Sequence, residues 1–335
     1  MKTLVVAPAW VGDTVMAQTL FKLLKQRQAD MTLNVLAPAW VRPLLDRMPE
    51  VNEAIDSPFG HGQLFLRSRF RMGKQLRSHG YDQAIVLPHS FKSALAPFWA
   101  GIPRRTGWVG EQRYGLLNDA RKLDKLRLPL MIQRFVALGL EKHEPLPAQP
   151  LWPTLNISAA NVANALQNLG LEHRGQRLLA LCPGAEFGSS KRWPPEYYAE
   201  VANEMLAAGW RVWLFGSAHD KAVTDRIDIL TDHRCVNLAG RTELNEAVDL
   251  LSLADMVVAN DSGLMHITAA LRRPLVVVYG STSPQFTPPL SDQVKVLSLK
   301  LNCSPCFKRT CPLQHANCMR DLKPSLVLDA IEALI

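Results

Sequence analysis

Apolar residues along this chain come in short unbroken runs rather than in strict alternation. Residues 3–7, 33–36, 83–87, 178–182, 211–215, 235–238 and 275–279 each read as a strand, and 257–259 as the start of another. Residues 51–55 and 104–108 read as shorter extended pieces. Runs without alternation suit strands that are covered on both faces, as in parallel sheets. The segments between them carry helical spacing. Met16, Leu20, Leu23 and Leu24 recur at three- and four-residue steps, and 64–79 forms a basic amphipathic helix. Helices are also predicted at 40–48, 91–100, 159–169, 195–208, 220–230, 244–253, 264–271 and 325–334. Strands separated by helices imply βαβ units and a mainly parallel sheet. The alternation breaks once, at 143–153, where four prolines and little pattern mark a linker, and then restarts. The expected fold is therefore α/β, with two doubly wound halves and a cleft between them. In open α/β sheets ligands bind at the carboxyl ends of the strands, so that cleft is the expected site.

One stretch concentrates the candidate chemistry. Val257-Val258-Ala259-Asn260-Asp261-Ser262-Gly263-Leu264-Met265-His266 runs from apolar strand through polar turn into helix. The first amides of such a helix lack intrahelical partners, and with the helix dipole they favour an anion such as phosphate. Gly263 allows close approach of a ligand to the backbone. Asp261 reads as an N-cap or a ribose contact, because a carboxylate repels phosphate. An ordinary capped strand–helix junction has the same pattern. Asp13 follows Gly12 at the end of the first strand. It can act as a general base on an acceptor hydroxyl, or simply cap the first helix. In the second half, Cys182-Pro183-Gly184-Ala185 closes a strand and leads to Ser189-Ser190-Lys191-Arg192-Trp193-Pro194. A glycine turn followed by a lysine suits a diphosphate whose leaving-group charge the ammonium offsets. A surface basic pair before a helix is the alternative.

Composition narrows the choice. A chain of 335 residues is long enough for two domains, and no apolar run approaches the ~20 residues needed to cross a bilayer. Met1-Lys2-Thr3 before an apolar run imitates an export signal, but Gly12-Asp13 ends the run without a small-x-small cleavage site, so a first strand is expected. Lys plus Arg exceed Asp plus Glu by 38 − 30 = 8. Such a surplus suits an acidic partner or a solvated basic surface. No basic stripe interleaved with aromatics occurs, and nucleic acid is not expected. Six cysteines without an export signal imply reduced thiols in the cytoplasm. No G-x-G-x-x-G follows the first strand, and G-x-x-x-x-G-K-[ST], H-E-x-x-H and G-x-S-x-G are absent. That argues against standard dinucleotide oxidoreductases, P-loop NTPases and two common hydrolase classes.

Ala9-Trp10-Val11-Gly12-Asp13, Pro183-Gly184-Ala185 with Lys191-Arg192-Trp193-Pro194, Leu214-Phe215-Gly216-Ser217, and Asn260 to His266 occur in this order. Ala37-Pro38-Ala39-Trp40, Arg47-Met48-Pro49-Glu50-Val51, Ser90-Phe91-Lys92-Ser93-Ala94 and Arg113-Tyr114-Gly115-Leu116-Leu117-Asn118-Asp119 add to the set. Over nearly the whole chain this resembles the lipopolysaccharide heptosyltransferases of glycosyltransferase family 9. The resemblance implies a GT-B architecture of two Rossmann-like domains facing a central cleft. An acceptor domain would span 1–153, a donor domain 154–323, and a final helix, 324–335, would pack back towards the first domain. It also implies inverting transfer of heptose from ADP-heptose to a phosphorylated lipid A core acceptor, without metal or cofactor, at the cytoplasmic face of the inner membrane. By matching position, Asp13 beside Gly12 is the base and Lys191 the donor-phosphate lysine. Asp261, Ser262, Gly263, Leu264, Met265 and His266 would contact diphosphate and sugar, with Gly184 in the same site and Gly216 and Ser217 near the adenosine. Arg67, Arg69, Arg71 and Lys74 are expected to form a basic acceptor-docking surface. Cys303-x-x-Cys306-x4-Cys311-x6-Cys318 stands apart from all of this. These cysteines either hold a structural zinc or remain free thiols in a loop.

Overall fold

The apolar runs become interior strands of parallel sheets. A computed structural model describes residues 1–59, 64–173 and 175–335. These form two compact units, Met1–Pro153 and Thr154–Ile335. The first contains β1 (Lys2–Val6), α1 (Val11–Arg27), β2 (Thr32–Pro38), α2 (Arg42–Leu45), β3 (Glu53–Ser57), α3 (Leu66–Arg77), β4 (Gln83–Val86), α4 (Leu95–Trp99), β5 (Arg104–Trp108), β6 (Asp119–Arg121) and α5 (Met131–Gly139). Its strands lie in the order β3-β2-β1-β4-β5-β6, all parallel. The chain winds out from β1 in one direction, then returns to β4 and winds out in the other. The switch point therefore falls between β1 and β4, where a crevice opens at the strands' carboxyl ends.

The second unit contains α6 (Ala159–Leu169), β7 (Leu178–Cys182), α7 (Pro195–Ala207), β8 (Arg211–Leu214), α8 (Lys221–Leu230), β9 (Val236–Asn237), α9 (Leu244–Leu251), β10 (Met256–Asn260), α10 (Gly263–Ala270), β11 (Leu275–Val278), β12 (Val294–Leu297), α11 (Asn317–Arg320) and α12 (Pro324–Glu332). The order β12-β11-β10-β7-β8-β9, again parallel, is the same winding, with its switch point between β7 and β10. Every residue of β7, β10 and β11 is buried, as strands covered on both faces require. This is the α/β, doubly wound class expected from the chain's pattern.

Four elements, α11 among them, carried no signal in the apolar pattern. β12 is short and mostly exposed along its side chains. β6 is held by Arg121, whose guanidinium pairs with Asp119 at 2.7 Å and donates to the carbonyls of Ala137 and Leu140 at 2.7 and 2.8 Å. Arg121 thus satisfies the carbonyl end of α5, the third unanticipated element, where a cation is favoured by the helix dipole. The predicted helix at 91–100 is a 3₁₀ turn, Phe91–Ala94, followed by α4. In the final helix, Val327, Ala330 and Ile331 share a core with Val276, Val278 and Trp193 of the second unit.

In the first unit, α3 meets α4 at a residue without a side chain. A Cβ on Gly73 would sit 2.6 Å from the Trp99 Cβ and 3.0 Å from the Ala96 carbonyl. Neither neighbour is a flexible side-chain end, so α3 would have to move. Gly73→Ala should gain helix propensity, about 1 kcal/mol, and lose more to overpacking, about 1–3 kcal/mol. Gly73→Leu should lose more still. Urea denaturation is expected to rank wild type above Gly73→Ala above Gly73→Leu. A more stable Gly73→Ala would show that the two helices separate freely.

Candidate active site

Each switch point carries its own set of polar groups. In the first unit a cavity of about 300 Å³ opens at the carboxyl ends of β1, β2 and β4, lined by Pro8, Trp10, Asp13, Pro38, His89 and Lys92 among others. α1 begins at Val11 with Trp10 as its N-cap, so Asp13 lies inside the first helical turn. It is not the cap itself. A carboxylate in that turn is favoured by the amide end of the helix, and Asp13 is half-buried on the cavity wall. Gly12, beside it, belongs to the same turn. The loop before it is pinned by the Trp40 indole, which donates to the Ala9 carbonyl at 2.9 Å.

The opposite wall is held by a buried arginine. Arg113 donates to the carbonyls of Trp108 and Pro88 at 2.7 and 2.6 Å, and to the Ser93 hydroxyl at 3.0 Å. With these donors Arg113 joins the loop after β4 to the turn after β5. Burial pulls its pKa down to about 10, which leaves it charged at neutral pH. Burial and the charge of Arg113 also hold the His89 imidazole below its usual range, so this cavity wall is neutral at His89.

The four basic residues expected to form one docking surface divide. Arg67, Arg71 and Lys74 are exposed on α3. Arg69 is buried: its guanidinium donates to the carbonyls of Leu64 and Lys92 at 2.7 and 3.0 Å and stacks over the Phe59 ring at 4.0 Å. It therefore belongs to the cavity wall and not to an outer basic surface. Around the exposed three lie Phe65, Leu66 and Phe70, themselves exposed.

In the second unit, Asn260 closes the switch point. It is fully buried, and its amide donates to the Pro183 carbonyl at 2.6 Å while its oxygen accepts from the Trp193 backbone and the Tyr198 hydroxyl, each at 3.1 Å. One side chain thus connects the ends of β7 and β10 to the segment that carries Lys191. Trp193, completely buried, anchors that segment through an indole bond to the Leu322 carbonyl at 2.8 Å. Lys191 is delivered to Asp261, with Nζ 2.6 Å from Oδ2. The Thr282 hydroxyl donates to the same oxygen at 2.5 Å. Asp261 is therefore neither an N-cap nor an open carboxylate; it is the counter-ion of Lys191. The cap of α10 is Ser262, which makes no side-chain capping bond, and the helix starts at Gly263. Leu264 is half-buried in the first turn. Met265 points into the core, its sulfur accepting from the Tyr279 hydroxyl at 3.4 Å. His266 is buried, and burial pulls its pKa from 6.5 down to about 4 against the opposing pull of Asp261.

Gly184, Gly216 and Ser217 converge on a residue that sequence reasoning missed, Asp220. A Cβ on Gly184 would lie 2.5 Å from the Asp220 carboxylate, and one on Gly216 2.9 Å from its Cβ. Asp220 accepts from the backbone and hydroxyl of Ser217 at 3.0 and 2.8 Å. The Ser217-x-x-Asp220 spacing is a capping-box pattern and was the available signal. Thr282 was missed too, and no local pattern marks it.

These features have counterparts among known proteins. The family model described as Glycosyltransferase family 9 (heptosyltransferase) matches residues 69–317. Lipopolysaccharide heptosyltransferase 2 of Escherichia coli K12 is 46% identical across 100% of this chain and 99% of its own length. The protein of the same name from Salmonella typhimurium is 47% identical with the same coverage. The solved structure of E. coli ADP-heptose lps heptosyltransferase II superposes with a TM-score of 0.88 at 44% identity, covering 100% of this chain and 98% of that one. With a family match over most of its length, and relatives this similar along all of it, the chain belongs to glycosyltransferase family 9, the heptosyltransferases.

Proposed function

We propose that this glycosyltransferase moves L-glycero-D-manno-heptose from ADP-heptose to the first heptose of the lipopolysaccharide inner core, releasing ADP with inversion and without a metal ion. The observation that carries the donor assignment is the meeting of Lys191, Asp261 and the start of α10 at the β7–β10 switch point. An ammonium and a helix amide terminus whose cap residue makes no side-chain bond are the groups a diphosphate needs. Asp261 keeps the ammonium in place, and Thr282 shares the charge of that carboxylate. Gly216 and Ser217, ordered by Asp220, are the proposed adenosine contacts. His266 is neutral above about pH 4 and so would contribute hydrogen bonding to donor sugar or phosphate, not charge.

On the acceptor side, the first-unit cavity with Asp13 in its wall is the proposed heptose site. The acceptor hydroxyl attacks the anomeric carbon from the face opposite ADP, and its proton passes to the Asp13 carboxylate. The bond from the anomeric carbon to the phosphate oxygen breaks, and the electron pair leaves with ADP. Lys191 and the α10 amides meet the charge that builds there. Arg67, Arg71 and Lys74, with Phe65, Leu66 and Phe70 beside them, suit the anionic headgroups and acyl boundary of a lipid-borne acceptor at the cytoplasmic face of the inner membrane. No helix among the described residues is long and apolar enough to cross a membrane.

The deciding experiment follows ADP release from ADP-heptose with mono-heptosylated Kdo2-lipid A in excess EDTA. Wild type should release ADP in an acceptor-dependent way. Asp13→Asn should lower kcat by about 10²–10⁴-fold, the range for loss of a general base, with ADP affinity unchanged. Full turnover by that variant, or loss of turnover in EDTA, would remove the base assignment or the metal independence respectively. Release only with an acceptor lacking heptose would move the acceptor one sugar inward.

Lys191→Met should weaken ADP binding about tenfold or more, and should destabilise the fold by leaving Asp261 without its counter-ion. Adding Asp261→Asn should recover stability but not ADP affinity. Calorimetric binding and thermal melts separate the two; ADP affinity restored in the double variant would show that Lys191 does not touch the nucleotide.

The depressed pKa of His266 has a definite sign. Between about pH 6.5 and about 4 the unfolded chain binds a proton there and the folded chain does not. Stability present above that window is therefore lost as pH falls through it, by roughly 3 kcal/mol at most. His266→Gln should flatten this part of the pH–stability curve. An unchanged curve would show that the imidazole titrates normally.

A further inference from the structure

The segment between β12 and α12 has little core of its own. From residue 298 to 316 it carries no helix or strand, and its side chains are half-buried or exposed. Yet its backbone is far from relaxed. Lys300, Phe307, Gln314 and Ala316 all take left-handed φ values, 49°, 54°, 60° and 51°. Such conformations cost non-glycine residues free energy and persist only where something else over-determines them. A long loop of this kind needs a tie.

The four cysteines of this segment gather at one place. Cys303, Cys306, Cys311 and Cys318 line a single cavity of about 20 Å³. Cys318 lies within electrostatic reach of the other three. Backbone amides of Leu313, Gln314, His315 and Ala316 converge on the Cys311 sulfur. Phe307 turns left-handed directly after Cys306, and its amide donates to the Ser281 carbonyl at 2.8 Å. His315 also borders the cavity, but its Nδ1 is engaged by the Asn317 amide at 3.0 Å. The thiols as placed do not close onto one point, and no metal-holding group of three or more is formed among the described residues. Ligation would therefore turn the four side chains further into the cavity they already line.

We propose that Cys303, Cys306, Cys311 and Cys318 bind one thiophilic metal ion, zinc or ferrous iron, as a structural tetrathiolate site. Each thiol gives its proton to solvent on ligation, and the Cys-x-x-Cys spacing supplies the first pair. The site lies behind the Lys191 loop. The Ser190 amide donates to the Arg309 carbonyl at 3.1 Å, and the Ser190 hydroxyl bonds the Lys308 carbonyl and, at 3.0 Å, the Ser281 hydroxyl. Gly188 packs so closely that a Cβ would lie 2.3 Å from the Arg309 carbonyl oxygen. Residues 308 and 309 fall between the second and third cysteines, so metal ligation would stiffen the backbone against which Lys191 is held. Metal binding itself is independent of the transfer reaction proposed above; only its bearing on Lys191 rests on that reading.

The test uses the full chain, purified under reducing conditions without chelator. Elemental analysis should find one equivalent of metal and say whether it is zinc or iron. After metal removal, added Co(II) should give the sulfur-to-metal charge-transfer and d–d bands of tetrahedral thiolate coordination, and amide exchange at Ser190 should be faster in the stripped protein than in the reloaded one. Cys303→Ser/Cys306→Ser should lose the metal. Metal content well below one equivalent together with no Co(II) charge-transfer band would overturn the site, as would disulfides among these cysteines in the freshly purified protein. Both readouts are made on wild type, so they stand even where the double variant does not fold, and neither depends on transferase activity.

Discussion

An ammonium and a carboxylate lie 2.6 Å apart in a place where the carboxylate side chain keeps only 5% of its exposure and the lysine 15%. Removing two charges from water costs several kcal/mol each, and their attraction repays this only with good geometry and further hydrogen bonds. Much of the second unit's upper surface can be understood as supplying that geometry. Asn260 fastens the ends of β7 and β10 to the Trp193 backbone, Trp193 fastens the segment to the core, and Thr282 donates a second bond to the Asp261 oxygen that Lys191 holds. The two loops of the switch point cannot part without leaving an unpaired charge in a poorly solvated place. The diphosphate site proposed here is therefore preorganised, its cation already oriented before any ligand arrives.

The first unit uses charge in a different way. Arg69, Arg113 and Arg121 are all buried, and each directs its guanidinium at backbone carbonyls of loops or helix ends. A planar fork of donors can bind several carbonyls at once, which a lysine cannot match. Part of the basic surplus visible in the composition is thus internal scaffolding. That is why net charge alone was a poor guide to which residues of α3 face outward, and why Arg69 had to be separated from Arg67, Arg71 and Lys74.

Legibility in the sequence followed burial. β7, β10 and β11 are buried on every residue, and their unbroken apolar runs announced them. β6 and β12 lie at sheet edges, where polar side chains are allowed and pairing with a neighbour makes the strand. The proline-rich 143–153 segment and the restart of alternation made the doubling readable. At the candidate site, residues within one strand–turn–helix stretch were readable, because the local geometry that exposes amides is written in a few consecutive letters. Thr282 acts through a contact with a residue brought near by the fold, and the cap alternative for Asp261 failed because its partner lies 70 residues away. Polar residues whose meaning is a distant partner leave no periodic trace.

The two sheets share a winding, and each carries a hydrophobic cluster of its own. The cluster built on Leu4, Val86 and Leu117 and the cluster built on Trp193, Val258 and Val327 have no side chain in common. Each of these clusters is built from the sequence of its own unit alone. On the proposed division of donor and acceptor sites, each preference would be shaped first by residues of its own unit. Leu146 and Leu151 of the proline-rich joint pack on Leu23, Val136 and Leu140, so an exchange of halves between relatives belongs after Pro153, where each cluster stays with its own half.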